Sequence, residues 1–181
     1  MKIIRTDIDE LVLIKPDVFE DSRGFFLESY SQKKFEDAGI SCHFVQDNHS
    51  RSEQQGVIRG LHFQKPPFAQ SKLIRVTRGA IFDVAVDLRK SSPTFGMWKG
   101  FELTDKNYLI LFVPQGFAHG FCTLCPGTEV QYKVDNLYAP DYDSGIRWND
   151  PLLAVNWPVK EPVLSKKDAI LPFFKELKSP F

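Results

Sequence analysis

The amino-acid sequence predicts an all-β protein, an antiparallel sandwich or barrel with few helices. Along most of the chain, apolar residues recur at every second position, which is the spacing of strands with one buried face. Turn-forming residues such as Arg78-Gly79, Ser92-Pro93 and Pro126-Gly127 separate these segments at short intervals. Parallel strands would need long, usually helical connections, so the close turns favour antiparallel pairing.

Ten segments carry the strand pattern, and two others carry helix signals. Ser31 is a suitable N-cap for a helix that ends at Gly39, and a second, short helix is expected to start at Ser165. The ten strand segments cover residues 11–14, 25–30, 44–48, 57–64, 72–77, 81–88, 98–103, 108–113, 117–123 and 129–135.

Length and composition restrict the classes of protein that fit. A chain of 181 residues suits one domain, residues 1–181, with a substantial core. Because 23 basic residues balance 23 acidic ones, no net charge attracts nucleic acid or an anionic membrane. No apolar run approaches the roughly 20 residues of a membrane span, and residues 1–5 do not lead into a signal-peptide core. Three cysteines, an odd number, argue against a disulfide framework, so we expect a cytoplasmic protein.

Strand alternation places several polar side chains on the same face as apolar neighbours. Lys72 alternates with Ile74 and Val76, and His119 lies between Phe117 and Phe121. Polar groups buried in this way are costly unless they are paired, and a ligand cavity is the natural explanation. Alternatively, some strands direct their apolar side toward a partner in a dimer. Alternation directs four further polar residues inward, namely Glu28, Gln46, Asn48 and Tyr132.

Arg59 and His62 have opposite parity within one predicted strand. A regular strand would therefore direct their side chains to opposite faces. Gly60, which lies between them, permits a β-bulge that turns both side chains inward.

The segment Pro114-Gln115-Gly116-Phe117-Ala118-His119 resembles the second motif of the cupin superfamily, in which a turn leads into a strand. This motif supports a jelly-roll barrel. A metal-binding cupin also carries a His-x-His pair and a nearby glutamate, whereas His62-Phe63-Gln64 supplies one imidazole and no close carboxylate. Two plausible ligands do not fill the three protein positions of a typical catalytic metal site. We therefore expect no metal and no cofactor.

Taken in order along nearly the whole chain, a set of motifs resembles the dTDP-4-dehydrorhamnose 3,5-epimerase family. The resemblance implies a homodimer of cupin-like jelly-roll barrels that converts dTDP-4-dehydro-6-deoxy-glucose to dTDP-4-dehydro-rhamnose, a step toward dTDP-L-rhamnose. The motifs lie at residues 21–28, 44–48, 56–64, 70–73, 82–89, 92–96, 116–121, 132–133, 148–151 and 165–168, and residues 56–64, Gly-Val-Ile-Arg-Gly-Leu-His-Phe-Gln, are the most specific.

The resemblance also implies a role for individual residues. His62 would be the base, Asp168 the carboxylate that orients it, Tyr132 the acid and Lys72 the cation that neutralises the enolate. Tyr138 would stack on the thymine. The groups that hold the sugar and the diphosphate would be Arg23, Glu28, Gln46, Asn48, Arg59, His119, Asp143 and Lys167, and the family also carries Glu at position 143.

Several of these residues have simpler explanations. Ser165-x-x-Asp168 has the pattern of a helix capping box, so Asp168 could be a capping residue instead of a partner of His62. Lys72 could extend to the rim of the barrel, and Arg23 could be an exposed turn residue. At the level of function, the alternatives are an enzyme that inverts only C3 or C5 and a barrel that binds sugar nucleotides without catalysis.

Overall fold

The computed structural model describes residues 1–181 and is built almost entirely of β-strands. One α-helix, α1 (Gln32–Asp37), and three single-turn 3₁₀ helices (Pro140–Tyr142, Asp168–Ile170 and Phe174–Glu176) accompany the strands. The thirteen strands are β1 (Lys2–Arg5), β2 (Val12–Lys15), β3 (Val18–Asp21), β4 (Gly24–Leu27), β5 (Gln46–Ser52), β6 (Ile58–Gln64), β7 (Lys72–Arg78), β8 (Ala80–Asp87), β9 (Trp98–Thr104), β10 (Ile110–Val113), β11 (Phe117–Thr123), β12 (Thr128–Val134) and β13 (Asp143–Gly145).

Two sheets face each other across a shared core. The first has the strand order β1-β2-β10-β7-β12-β5, and the second has the order β13-β6-β11-β8-β9. The strand pairs within both sheets are antiparallel, and from β5 onward the chain alternates repeatedly between the sheets. This arrangement is a cupin-like jelly-roll barrel, which confirms the predicted fold class.

Three apolar clusters hold the barrel together. The first fills the space between the sheets and includes Ile74 and Val130 from one sheet and Phe117 and Phe121 from the other. The second covers the outer face of the β6–β11–β8 sheet with the C-terminal segment, including Trp157. The third lies beneath α1 on the outer face of the other sheet. Because β11 is covered on both faces, all seven of its residues are buried.

The ten predicted strands are present, with their ends displaced by a few residues. Three short strands, β1, β3 and β13, were not predicted, because each spans only three or four residues and lacks a long alternating pattern. The predicted helix forms as α1, although the side chain of Ser31 makes no capping hydrogen bond. No helix is both long and apolar enough to cross a membrane.

Strands β3 and β4 form a separate hairpin that projects from the barrel. Phe19, Phe25 and Phe26 on this hairpin are 64%, 54% and 68% exposed. The predicted inward direction of Glu28 is wrong, because β4 ends at Leu27 before it enters either sheet.

Candidate active site

A bulge in β6 turns Arg59 and His62 toward the same cavity. In the pairing with β11, His62 lies opposite His119 and Arg59 opposite Phe121, so β6 carries one residue more than its partner over this stretch. Gly60 has a φ of +131°, and a Cβ at this position would lie 2.5 Å from the Cα of Gly120. The bulge that Gly60 permits is therefore present, and it places a cation beside the candidate base.

Two adjoining cavities of the barrel lie beside the bulge in β6. The inner cavity has a volume of about 310 Å³ and contains Arg59, His119 and Asp168 in its wall. The outer cavity has a volume of about 330 Å³ and contains Gln46, Asn48, Tyr138 and Asp143. The cavities meet at four shared residues, His62, Lys72, Tyr132 and Lys167. These four residues belong to four separate motifs of the sequence, and the fold brings their side chains together at one site.

Asp168 both begins a 3₁₀ helix and pairs with His62. Its backbone N–H donates to Oγ of Ser165 at 3.0 Å, which is one half of the capping box. Its Oδ1 lies 2.5 Å from Nε2 of His62. Burial acts to raise the pKa of the Asp168 carboxyl, but the hydrogen bonds from His62 and Ser165 outweigh it and hold this pKa below its usual value. An ionised carboxylate on Nε2 leaves Nδ1 of His62 free to accept a proton.

Lys72 and Tyr132 lie side by side on neighbouring strands. Nζ of Lys72 is 5.6 Å from the centre of the Tyr132 ring and donates to Oε1 of Gln70 at 3.1 Å. Burial lowers the pKa of Lys72 to about 8, although the charges of Asp143 and Asp135 oppose this shift. Burial also raises the pKa of Tyr132, so its phenol stays protonated at neutral pH.

His119 is oriented by a carboxylate that sequence reasoning missed. Nε2 of His119 lies 2.8 Å from Oδ1 of Asp83, and the side chain of Asp83 is fully buried. Oδ2 of Asp83 has no hydrogen-bond partner. A signal for this pair existed in the sequence, because Asp83 alternates with the buried residues Ile81 and Ala85 in β8 and is therefore directed inward.

Polar groups at the mouth of the outer cavity contact one another. Lys167 forms an ion pair with Asp143, which also accepts a hydrogen bond from the Tyr138 hydroxyl at 3.1 Å. Nε2 of Gln46 donates to Oδ1 of Asn48 at 2.9 Å.

Arg23 and Glu28 line neither cavity. Arg23 is paired with Asp21 on the exposed hairpin, and Glu28 lies 2.8 Å from Nζ of Lys34. The other residues named from the sequence all lie in the walls of the two cavities.

The site thus contains a histidine–carboxylate pair, a protonated phenol and several cations inside a cupin-like barrel. No group of three or more His, Cys, Asp or Glu side chains is arranged to hold a metal ion. Fold and site together define a cupin-like barrel equipped for acid–base chemistry on an anionic ligand.

Comparison with known proteins gives the family. Residues 5–176 match the family model described as dTDP-4-dehydrorhamnose 3,5-epimerase. A dTDP-4-dehydrorhamnose 3,5-epimerase from Shigella flexneri is 52% identical over 169 residues, 93% of each chain. The structure of the Bacillus anthracis enzyme of that name, with TDP and PPi bound, has a TM-score of 0.94 and 57% identity and covers 95% of this chain and 98% of its own.

A third comparison adds a bound sugar nucleotide. The structure of dTDP-6-deoxy-D-glucose-3,5-epimerase from Legionella pneumophila in complex with dTDP-4-keto-L-rhamnose has a TM-score of 0.91 and 48% identity. It covers 95% of this chain and 92% of its own. This chain belongs to the dTDP-4-dehydrorhamnose 3,5-epimerase family, whose members are isomerases that act on carbohydrates.

Proposed function

We propose that this protein converts dTDP-4-dehydro-6-deoxy-glucose to dTDP-4-dehydro-rhamnose by inverting C3 and C5. The observation that carries the proposal is the convergence of His62, Asp168, Lys72 and Tyr132 on one cavity. The family match over residues 5–176 supports the choice of substrate.

The substrate explains why both a base and an acid are present. The ketone at C4 acidifies the hydrogens at C3 and C5, and inversion requires a proton to leave one face and another to arrive on the opposite face. His62 removes the proton through Nδ1, and the Asp168 carboxylate stabilises the resulting imidazolium. Tyr132 then delivers a proton to the other face, since its phenol is protonated at neutral pH.

Cations in the cavity stabilise the charges of the enolate and the diphosphate. Lys72 faces the enolate oxygen, where the loss of one preorganised donor typically costs about 10²–10³ in rate. Arg59, His119 and Lys167 are available for the diphosphate. Gln46, Asn48 and Asp143 provide hydrogen bonds near the mouth, where Tyr138 presents its ring to the thymine.

The proposal includes a homodimer, in which Arg23 and Glu28 contact the substrate in the partner's cavity. Their hairpin exposes three phenylalanine rings, and exposed apolar patches of this kind mark protein interfaces. Strand β5, which carries Gln46 and Asn48, lies at the edge of its sheet and offers free backbone groups beside the mouth. A second hairpin docked there would bring its Arg23 close to the outer cavity.

A location in the cytoplasm is part of the same proposal. Cys42, Cys122 and Cys125 all carry free thiols, which fits a reducing compartment.

Incubation with dTDP-4-dehydro-6-deoxy-glucose in D₂O, followed by NMR of the product, tests the reaction. We expect deuterium at both C3 and C5. Label at one carbon alone would assign the protein to the single epimerases, and label at neither carbon would leave only a sugar-nucleotide-binding barrel.

A further inference from the structure

The chain around Tyr138 lacks the backbone ladder that fixes residues in a sheet. Tyr138 lies between the end of β12 and the 3₁₀ helix Pro140–Tyr142, in a segment outside both sheets. It is 58% exposed, and its ring contributes to the wall of the outer cavity. Its own backbone N–H makes one long hydrogen bond, of 3.4 Å, to Oε1 of Gln46. Apart from the hydrogen bond of its hydroxyl to Asp143, the position of this ring therefore depends on the groups that hold the neighbouring backbone.

One buried side chain binds the backbone on both sides of Tyr138. Nε2 of Gln64 donates to the carbonyl of Leu137 at 3.1 Å, and its Oε1 accepts the N–H of Ala139 at 2.7 Å. These two bonds reproduce the way in which a neighbouring strand binds the residues before and after a strand position. The second N–H of the same amide donates to the carbonyl of Phe68 at 2.7 Å, which ties in the adjacent loop.

The amide of Gln64 has little freedom to bind elsewhere. The residue is 4% exposed, and both of its N–H donors are committed to backbone carbonyls. Leaving buried partners of this kind unsatisfied is costly, so the two loops and the side chain hold one another in place.

Gln64 also links this loop to the catalytic base. It follows His62 by two residues on β6, and its backbone lies opposite Asp143 in the pairing with β13. The hydroxyl of Tyr138 donates to the side chain of that same Asp143. Strand β6 therefore carries both the base, His62, and the side chain that holds the backbone around the Tyr138 ring.

We propose that Gln64 is a positioning residue that holds Tyr138 in place at the mouth and thereby sets the affinity of the site for the nucleobase. This inference rests on the proposed function. Gln64 acts through Tyr138 and does not take part in the proton transfers at His62.

A double-mutant cycle tests the proposal. Binding of dTDP is measured by calorimetry for the wild type, Gln64→Leu, Tyr138→Ala and the double variant. We expect Gln64→Leu to weaken dTDP binding about ten-fold, which corresponds to about 1.4 kcal/mol. In the Tyr138→Ala background the same change should alter the affinity less than about two-fold, because the ring that Gln64 positions is already absent.

Two further variants separate positioning from a general loss of structure. Gln64→Met is uncharged and close to glutamine in size but removes the same hydrogen bonds, so it should weaken dTDP binding about as much as Gln64→Leu. It also replaces Gln64→Leu in the double-mutant cycle if Gln64→Leu fails to fold. Gln131→Leu makes the same change at an exposed position of β12 and should leave dTDP binding at the wild-type level. For Gln64→Leu, steady-state kinetics should show a raised KM, with kcat reduced less than about three-fold relative to the wild type.

Additive effects of the two substitutions on dTDP affinity would overturn the inference and leave the proposed function intact. The inference also fails if Tyr138→Ala does not weaken dTDP binding. If the wild-type protein does not bind dTDP at all, the proposed function fails, and the inference fails with it.

Discussion

Burial has opposite functional consequences for the two ionisable groups that lie beside His62. It raises the pKa of Tyr132, which preserves the protonated phenol that an acid needs. It lowers the pKa of Lys72 to about 8, which favours the neutral amine that cannot stabilise an enolate. The negative charge of the substrate favours the protonated form of Lys72. In the free enzyme, which lacks that charge, Lys72 loses its proton more readily.

The value for Lys72 predicts a pH dependence. Lys72 is cationic below pH 8 and becomes neutral above it, so kcat/KM should fall as the pH rises through about 8. In Lys72→Arg, whose guanidinium stays charged, turnover should be slower but this alkaline fall should be absent. Tyr132 does not account for the fall, because burial raises its pKa from an ordinary phenol value that already lies well above this range. A pH–rate profile of Lys72→Arg that still falls near pH 8 would contradict this account.

Parity within a strand correctly predicted five of the residues that line the two cavities, whereas the others were named from the family resemblance. Lys72 and His119 alternate with apolar residues that fill the barrel, so their direction followed from the pattern. Asp83 obeys the same rule but was missed, because the motif at residues 82–89 that contains it was given no role in the site. Ser165-x-x-Asp168 admitted two explanations, and the side chain of Asp168 follows the second: it binds His62, while only the backbone N–H of Asp168 binds Ser165.

At the level of the element, the bulge in β6 determines whether Arg59 and His62 act together. Gly60 has a φ of +131°, and backbone atoms of His119 and Gly120 lie within 2.8 Å of the point that a Cβ would occupy. No side-chain rearrangement relieves such a clash, because the neighbouring atoms belong to the backbone.

Gly60→Ala should therefore lower both stability and turnover. We expect a loss of about 1–3 kcal/mol in the free energy of unfolding, which lowers Tm by roughly 2–4 °C per kcal/mol. Gly127→Ala is the matched control, because Gly127 also has a positive φ but a Cβ at this position would have no atom within 4 Å. Thermal unfolding and kinetics of the two variants compare them directly. Wild-type Tm and turnover in Gly60→Ala would show that the bulge is dispensable.

The elements that escaped sequence analysis are short or depend on a partner. Strand β13, Asp-Ser-Gly, has no apolar residue and exists because it pairs with β6. The β3–β4 hairpin has an apolar pattern that indicated a strand facing the core, yet its phenylalanines are exposed. Alternation identifies an apolar face but not whether that face meets the chain's own core or another molecule.

At the level of the whole molecule, the proposed dimer makes each site dependent on two chains. Coexpression of Arg23→Ala and His62→Asn variants tests this dependence. A mixed dimer would contain one site with both an intact His62 and an intact Arg23, so random pairing should restore about a quarter of the wild-type sites. Each variant alone should have little activity at low substrate concentration. If the mixture is no more active than the sum of its components, Arg23 does not reach the partner's site.

The central claim is that His62 and Tyr132 act on opposite faces of the sugar. Tyr132→Phe separates the two roles, because it removes the phenol and leaves the base, Lys72 and the binding groups in place. The change in volume is a single oxygen atom, so gross repacking of the barrel is not expected. The enolate still forms in this variant, but its nearest proton donor is the imidazolium on the original face.

The decisive measurement is NMR of dTDP-4-dehydro-6-deoxy-glucose incubated in D₂O with Tyr132→Phe, with His62→Asn as the control. We expect Tyr132→Phe to exchange hydrogens with the solvent slowly while it returns mainly the starting configuration. His62→Asn should neither exchange nor invert, although it still binds dTDP. Inversion by Tyr132→Phe at close to the wild-type rate would contradict the account, and so would the absence of any exchange in a variant that binds dTDP.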